Sequence, residues 1–410
     1  MIEPAAREPF SGTVHVMPSP SALRAGAVWV TAANWAEASR RRWGDAWFLT
    51  PDSVFGTEQA RAHASRPPAS GTAGLRLRSA IPMPTKTLVK DLRALIRARK
   101  FRRSVNADAW NHLRIPFIWQ HHDVFERAGI RLARVLSVPV LLFVDAPQVW
   151  EARRWGVRRQ GWGHLMERYG EIPQALAADL VGCVSEEVAE VVASWGVPDH
   201  RILVLPCTAD TQRFHTDISG AAVRERYGLS DAPVVGWVGS FRGFHAVDLL
   251  LEAVEAVQPQ LGNARLLLVG DGAQRSSVMD RAVDLGIDAV FTGAVPHDEI
   301  PEHLAAMDVA VVTAREAETF HYSPLKLREY MASGRAIIAP RVGDVARTLT
   351  HGEDGLLYQP GDVEGFGQAI TRFVGDHRLR QQLGYRAHAH YMQSGGPDAQ
   401  LDIVMDALYG

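Results

Sequence analysis

The sequence predicts an α/β protein made of two doubly wound domains with parallel sheets. Three observations carry that reading. The chain has 410 residues, more than one ordinary hydrophobic core takes up. Short apolar runs of strand length alternate with longer amphipathic stretches almost throughout, the pattern of βα units and a parallel sheet. The alternation runs once up to about Asp210 and then starts again.

In the first half, "GTVHVMP", "DAWFLTP", "PFIWQ", "VPVLLFVDAP", "LVGCVS" and "ILVLPC" read as buried strands. "DVFERAGIRLARVLS" and "SEEVAEVVASWG" read as helices, the second with Ser185 as N-cap and Gly196 past its end. After Asp210 come the strand "PVVGWVGSF", the helix "AVDLLLEAVEAVQPQL" and the strand "ARLLLVGDG". "SSVMDRAVDLG" is a helix, "AVFTGAVP" a strand, "EIPEHLAAM" a short helix and "VAVVTAR" a strand. "SPLKLREYMASG" and "RAIIAPR" close the series as helix and strand. The expected division is 1–210, 211–375, and C-terminal helices over 376–410 that cross back to the first domain. Two such domains facing each other would form a cleft at the carboxyl ends of both sheets.

Bulk composition excludes several classes. A net charge of −2 argues against a nucleic-acid binder held by a global field. Cys183 and Cys207 sit in apolar surroundings and read as buried thiols, not a disulfide framework. The first 20 residues lack a basic start and long apolar core, so no secretory signal is expected. No window reaches the roughly 18 apolar residues that span a bilayer. The expected place is the cytoplasm, with peripheral contact at the inner membrane face depending on one segment. "KTLVKDLRALIRARKFRR", Lys86–Arg103, holds eight Lys or Arg against one Asp, with Leu88, Leu92, Leu95 and Ile96 at helical spacing. Two readings stay open: a basic amphipathic helix on an anionic membrane, or a solvated helix with its apolar side in the core.

Four strand ends in the second half are candidate ligand sites. Gly239 is followed by Ser240, Arg242 and His245. Gly270-Asp271-Gly272 is a turn that brings backbone close to a ligand. Gly293 and Val295 follow another strand. "FHYSPLKLREY" leads into a helix whose free N–H groups suit phosphate, with Lys326 in its first turn and Glu329 three residues on. Lys326 and Glu329 also read as a surface ion pair worth under ~1 kcal/mol. Neither a dinucleotide fingerprint nor a Walker A loop is present, and no acidic, His or Cys cluster has metal-ligand spacing.

The order of these segments resembles the retaining glycosyltransferases of family 4, which have the GT-B architecture. "VSEEVAEVVASWGVPDHRILVLPCTADTQRF", "VGSFRGFHAVDLLLEA", "VFTGAVPHDEIPEHLAAMDVAVV", "SPLKLREYMASGRAIIAP" and "GEDGLLYQPGDVEGFGQAI" follow at the family's spacing over about Val184–Ile370. The helix matches a sub-group motif S-P-x-K-L-x-E-Y-M-A. In the first half, "WQHHDVFERAGIRLARVLSVPVLLFVDAPQVWE" is similar to a sub-group with a strand ending in N-A-P.

The resemblance implies a nucleoside-diphosphate sugar as donor, UDP expected ahead of GDP, and a hydroxyl acceptor, with no metal and no further cofactor. It assigns Glu329 to the ribose and backbone amides around Ser323, Leu325 and Lys326 to the diphosphate. Departures are specific. His321 stands where the first Glu of the family's E-x7-E motif falls, facing donor-sugar hydroxyls. Ser240 and His245 stand where the family has Arg and Lys to neutralise the leaving diphosphate. Arg242, protonated His245 and Lys326 are the candidates to replace them. Cys207-Thr208-Ala209-Asp210 replaces N-G-V-D. Asp145 stands where many relatives have His, with His121 and His122 as neighbouring candidates on the acceptor side. Two functions compete: a transferase acting on a glycan, glycolipid or small-molecule glycoside, and a non-catalytic transferase-like subunit that serves a partner.

Overall fold

The computed structural model describes residues 10–18, 26–64, 83–157, 159, 161–318 and 320–410; the side chains of 63, 64 and 83–86 lie outside that set. It contains two units, each around its own sheet. The first takes the described residues up to Leu205 together with Gln400–Gly410, and the second takes Pro206–Ala399. The division thus falls ahead of residue 210.

The first sheet has the order β3-β2-β1-β4-β5-β6-β7. Its strands are β1 (Gly12–Val16), β2 (Asp45–Leu49), β3 (Val54–Gly56), β4 (Ile118–His121), β5 (Val140–Val144), β6 (Leu180–Cys183) and β7 (Ile202–Val204). All pairings are parallel except β2 with β3. That hairpin was not foreseen, because three residues are too few for a periodicity to register. It is closed by Thr50, whose N–H donates to the Ser53 carbonyl and whose hydroxyl bonds Asp52.

The second sheet, order β10-β9-β8-β11-β12-β13, is parallel throughout. Its strands are β8 (Val234–Val238), β9 (Arg265–Val269), β10 (Ala289–Gly293), β11 (Val309–Val311), β12 (Ala336–Pro340) and β13 (Leu356–Tyr358). Alternate residues serve opposite faces. Val235, Trp237, Leu268 and Val311 enter one apolar cluster, while Val234, Leu267, Ala310 and Val312 enter the other. Both faces being covered explains why the strands read as continuous apolar runs.

Two sequence expectations need correction. "DVFERAGIRLARVLS" is helical only over Ala128–Leu136. The Glu126 carboxylate accepts the N–H groups of Arg127 and Ala128 and sets the start there. Segment 376–410 does not behave as one piece. The helix His377–Gln393 belongs to the second unit, where the Tyr391 hydroxyl accepts the Ala209 N–H (2.7 Å) and donates to its carbonyl (2.8 Å). Gln400–Gly410 belongs to the first, where Asp402 pairs with Arg42 and the Tyr409 hydroxyl donates to the Pro116 carbonyl. Among the described residues, no helix is long and apolar enough to cross a membrane.

Candidate functional site

The strand order of the second sheet reverses between β8 and β11, and ligands of open α/β sheets bind at such a reversal. The helix Leu325–Ala332 is pinned over it. The Tyr330 hydroxyl accepts the Val238 N–H (3.0 Å) and donates to the Val311 carbonyl (3.4 Å), joining both strand ends. Burial keeps this phenol protonated.

The start of that helix is open. Its N-cap is Pro324, which has no N–H and gives no side-chain cap. The Leu327 N–H folds back to the Pro324 carbonyl (3.0 Å). The Leu325 and Lys326 N–H groups therefore lack intrahelical acceptors and point out of the helix end.

Lys326 lies under this opening. Its ammonium sits 4.2 Å from the Trp237 ring centroid. A Cβ on Gly239 would lie 2.8 Å from Nζ, so glycine is what lets the cation reach the strand end. Burial lowers the Lys326 pKa to about 7, with Glu329 acting weakly the other way. Arg242 is exposed and makes no side-chain bond among the described residues. Ser240, beside it, is partly exposed. His245 does not supply a charge. Burial, with Lys326 and Arg242 nearby, lowers its pKa to about 2, so it is neutral at any physiological pH. Its ring is boxed by Trp237, Phe244 and Tyr322, and its carbonyl accepts the Thr313 hydroxyl.

Glu329 is not an exposed ion-pair partner of Lys326. It is buried, and His297, from the turn after β10, is hydrogen-bonded to its Oε1 at 2.7 Å. The Ser323 side chain has a structural task beside the backbone role expected there. Its hydroxyl accepts the Cys207 N–H (3.1 Å) and donates to Asp344 (2.9 Å). Arg328 grips Asp344 with two bonds of 3.0 and 2.8 Å and also donates to the Cys207 carbonyl. This buried network anchors the helix start. His321 is buried beside it, edge-on to Tyr322 at 6.0 Å.

The glycine turn needs a second correction. A Cβ on Gly270 would lie 1.9 Å from the Gly239 carbonyl oxygen, and one on Gly272 2.7 Å from the Phe241 nitrogen. These glycines let two backbone loops approach each other closely. The Phe241 N–H donates to the Asp271 carbonyl, and the Gly270 N–H to that of Gly293 (both 3.0 Å). Gly293, at φ 76°, has open space where a side chain would be. Val295 packs against the core, leaving only backbone for a ligand.

In the first unit, His121 and Asp145 come together at the ends of β4 and β5, Nε2 to Oδ2 at 2.7 Å. The carboxylate only accepts, so Nε2 carries the hydrogen that joins them. His122 is buried instead of lining the edge, and burial lowers its pKa to about 3. Beside it Glu171 accepts the N–H groups of Gln148 and Val149 at the start of the helix Gln148–Arg154, and burial raises its pKa to about 7.

The basic helix spans Met83–Ser104, with the Lys86 side chain outside the described residues. Thr87, Asp91, Ala98 and Phe101 face inward. Asp91 takes two bonds from Arg159 (2.8 and 3.2 Å) and one from Trp162 (2.9 Å). Leu88, Leu92 and Ile96 face outward, 49%, 55% and 48% exposed, among Lys90, Arg93, Arg99, Lys100 and Arg103.

Among the described residues, no group of three or more His, Cys, Asp or Glu could hold a metal ion. His297, Arg328 and Asp344 are the site residues the sequence did not single out. "PHDE" lay inside a quoted segment, but only the sheet order brings His297 to Glu329.

Comparison with known proteins defines the class. Residues 232–376 match the family Glycosyl transferases group 1. Residues 232–376 are thus similar to a group 1 glycosyltransferase domain, and the two parallel-sheet units have the GT-B fold. It is 29% identical over 254 residues to a GDP-mannose-dependent alpha-(1-6)-phosphatidylinositol monomannoside mannosyltransferase of Mycolicibacterium smegmatis, covering 57% of this chain and 65% of that protein. It is 33% identical over 184 residues to the lipopolysaccharide core biosynthesis glycosyltransferase LpsE of Rhizobium meliloti, covering 44% and 50%. The matches thus span half to two thirds of these relatives' length. In structure it is similar to Anabaena Alr3699/HepE, solved in complex with UDP, with a TM-score of 0.67 at 16% identity over 97% of this chain and 100% of that one.

Proposed function

We propose that this chain is a retaining glycosyltransferase that moves a sugar from a nucleoside-diphosphate sugar to a hydroxyl acceptor. One observation carries the reading. An uncapped helix N-terminus, a cation packed beneath it at Gly239 and a buried carboxylate one turn on are what a nucleoside diphosphate requires. The Leu325 and Lys326 N–H groups and the Lys326 ammonium take the diphosphate, with Arg242 approaching from solvent. Glu329 takes the ribose, and His321 hydrogen-bonds the donor sugar. In transfer, the bond from the anomeric carbon to the diphosphate oxygen breaks. The acceptor oxygen bonds the same face of that carbon, and its proton passes to the departing diphosphate. Lys326 and Arg242 stabilise the negative charge that develops there. No metal is needed for this role.

UDP is proposed ahead of GDP, supported by the neighbour solved with UDP, while the mycobacterial relative is named for GDP-mannose. Calorimetric titration of both nucleotides, with Arg242→Ala and Glu329→Ala alongside, tests the site. Each substitution is expected to weaken binding about tenfold or more, the worth of a charge-assisted hydrogen bond. If neither nucleotide binds the unaltered chain at millimolar concentration, the transferase reading fails. Binding without hydrolysis or transfer of any nucleotide sugar would favour the accessory-subunit reading.

The acceptor is proposed to lie at an anionic membrane on the cytoplasmic side. The support is the inverted helix Met83–Ser104, which keeps a salt-bridged Asp inside and an apolar row framed by cations outside. Vesicles of mixed zwitterionic and anionic lipid are expected to float with the protein. Leu92→Asp with Ile96→Asp should abolish flotation and leave nucleotide affinity unchanged. Equal behaviour of the variant and the unaltered chain would make the helix a solvated face.

A further inference from the structure

We infer that His297 is a positioning residue that aims the Glu329 carboxylate at the nucleotide ribose, and that Arg213 fixes its tautomer. The inference rests on the reading of Glu329 as the ribose ligand and names the machinery behind it.

Both ring nitrogens of His297 have partners. Nδ1 lies 3.4 Å from the Arg213 guanidinium, and Nε2 lies 2.7 Å from Glu329 Oε1. A guanidinium has donors and no acceptor. Nδ1 must therefore accept, which places the ring hydrogen on Nε2, directed at the carboxylate. Were the tautomer reversed, two lone pairs would face each other at 2.7 Å and the carboxylate would turn away. Arg213 is itself held by the Asp298 carboxylate, one residue beyond the histidine. The Phe214 ring packs on the imidazole at 5.5 Å.

The result is a relay from Asp298 through Arg213 and His297 to Glu329. It draws on three separate segments: the stretch after Asp210, the turn after β10, and the helix Leu325–Ala332. Glu329 is buried and His297 is partly buried, with side chains 5% and 13% exposed, so water does not replace a lost bond easily. His297 occupies Oε1 alone. Oε2 remains to accept a ribose hydroxyl.

Calorimetry with UDP and, separately, with inorganic pyrophosphate tests this. His297→Ala is expected to weaken UDP binding by ten- to a hundredfold and leave pyrophosphate binding unchanged, since pyrophosphate has no ribose. His297→Gln places an amide donor near the Nε2 position and should restore most of the UDP affinity. His297→Asn, whose amide reaches only the Nδ1 position, should not. Nitrogen NMR of the histidine ring should show hydrogen on Nε2 in the unaltered chain. The inference is overturned if His297→Ala binds UDP normally, if UDP and pyrophosphate weaken together, or if the hydrogen resides on Nδ1. An unaltered chain that binds neither UDP nor GDP overturns the donor-site reading, and this inference with it. Normal binding by the unaltered chain and by His297→Ala overturns this inference alone.

Discussion

The two units treat their helix starts in opposite ways. In the first, two helix N-termini near the ends of β4 and β5 are closed by the chain's own acids. Glu126 caps the helix Ala128–Leu136, and Glu171 caps Gln148–Arg154. In the second, the helix Leu325–Ala332 begins with a proline that cannot cap it, and a lysine waits beneath. Glu126 and Glu171 already occupy the N–H groups of their helix starts, and burial raises their pKa to about 8 and about 7, whereas an open start leaves its N–H groups for an anion. The difference supports placing the proposed anionic ligand on the second unit. The first instead presents the His121–Asp145 pair at the ends of β4 and β5.

The largest effect expected from this contrast is at Lys326. Lys326→Met keeps the aliphatic stem over Trp237 and removes the charge. Turnover of the nucleotide-sugar donor should fall about a hundred- to a thousandfold, the worth of one well-placed stabiliser of developing negative charge. Steady-state donor hydrolysis or transfer is the measurement. Glu126→Gln and Glu171→Gln, which alter only the closed helix starts, should leave UDP affinity unchanged. A Lys326→Met protein of normal turnover would remove the basis of the contrast.

A smaller effect is expected on the acceptor side. Asp145→Asn leaves the shape of the His121 pair but no longer dictates which ring nitrogen carries the hydrogen. The rate of transfer to acceptor should drop about tenfold, less than the roughly hundredfold or more that a positioned base itself contributes, because the histidine remains. UDP affinity, read by calorimetry, should stay the same. Loss of both together would mean that the pair acts on the donor.

The contrast also shows what a linear sequence can report. Strands, helix starts and the Lys326–Glu329 spacing are local, so the pattern around Ser323–Ala332 was legible as a helix with an open start. Partnerships set by sheet order were invisible. His297 is 32 residues from Glu329, and His121 is 24 from Asp145. Gly270 looked like a ligand loop because a glycine turn reads the same whether the close neighbour is a ligand or another backbone. His245 looked like a cation because burial cannot be read from a loop sequence. The inward Asp91 and the outward leucine row share one helical period, and only the fold says which face is which.

The smallest effect sharpens the contrast most, because it depends on where Lys326 is buried. Its pKa is about 7 in the free protein and about 10.5 when unfolded. Between those values the unfolded chain binds more protons than the folded one. Stability should therefore rise with pH from about 7 to 10.5, and that rise should be absent in Lys326→Met. A diphosphate beside the amine favours its charged form and reverses the burial effect. Between pH 8 and 9, UDP binding should then take up a fraction of a proton, approaching about one. Calorimetry in buffers of different ionisation enthalpy measures that number directly. A value near zero in the unaltered chain would place the diphosphate away from Lys326, even if UDP binds. Uptake that survives in Lys326→Met would assign the proton to another group. Uptake that vanishes only in Lys326→Met would make the open helix start and its partly buried lysine one anion site, with no counterpart at the two acid-capped helix starts of the first unit.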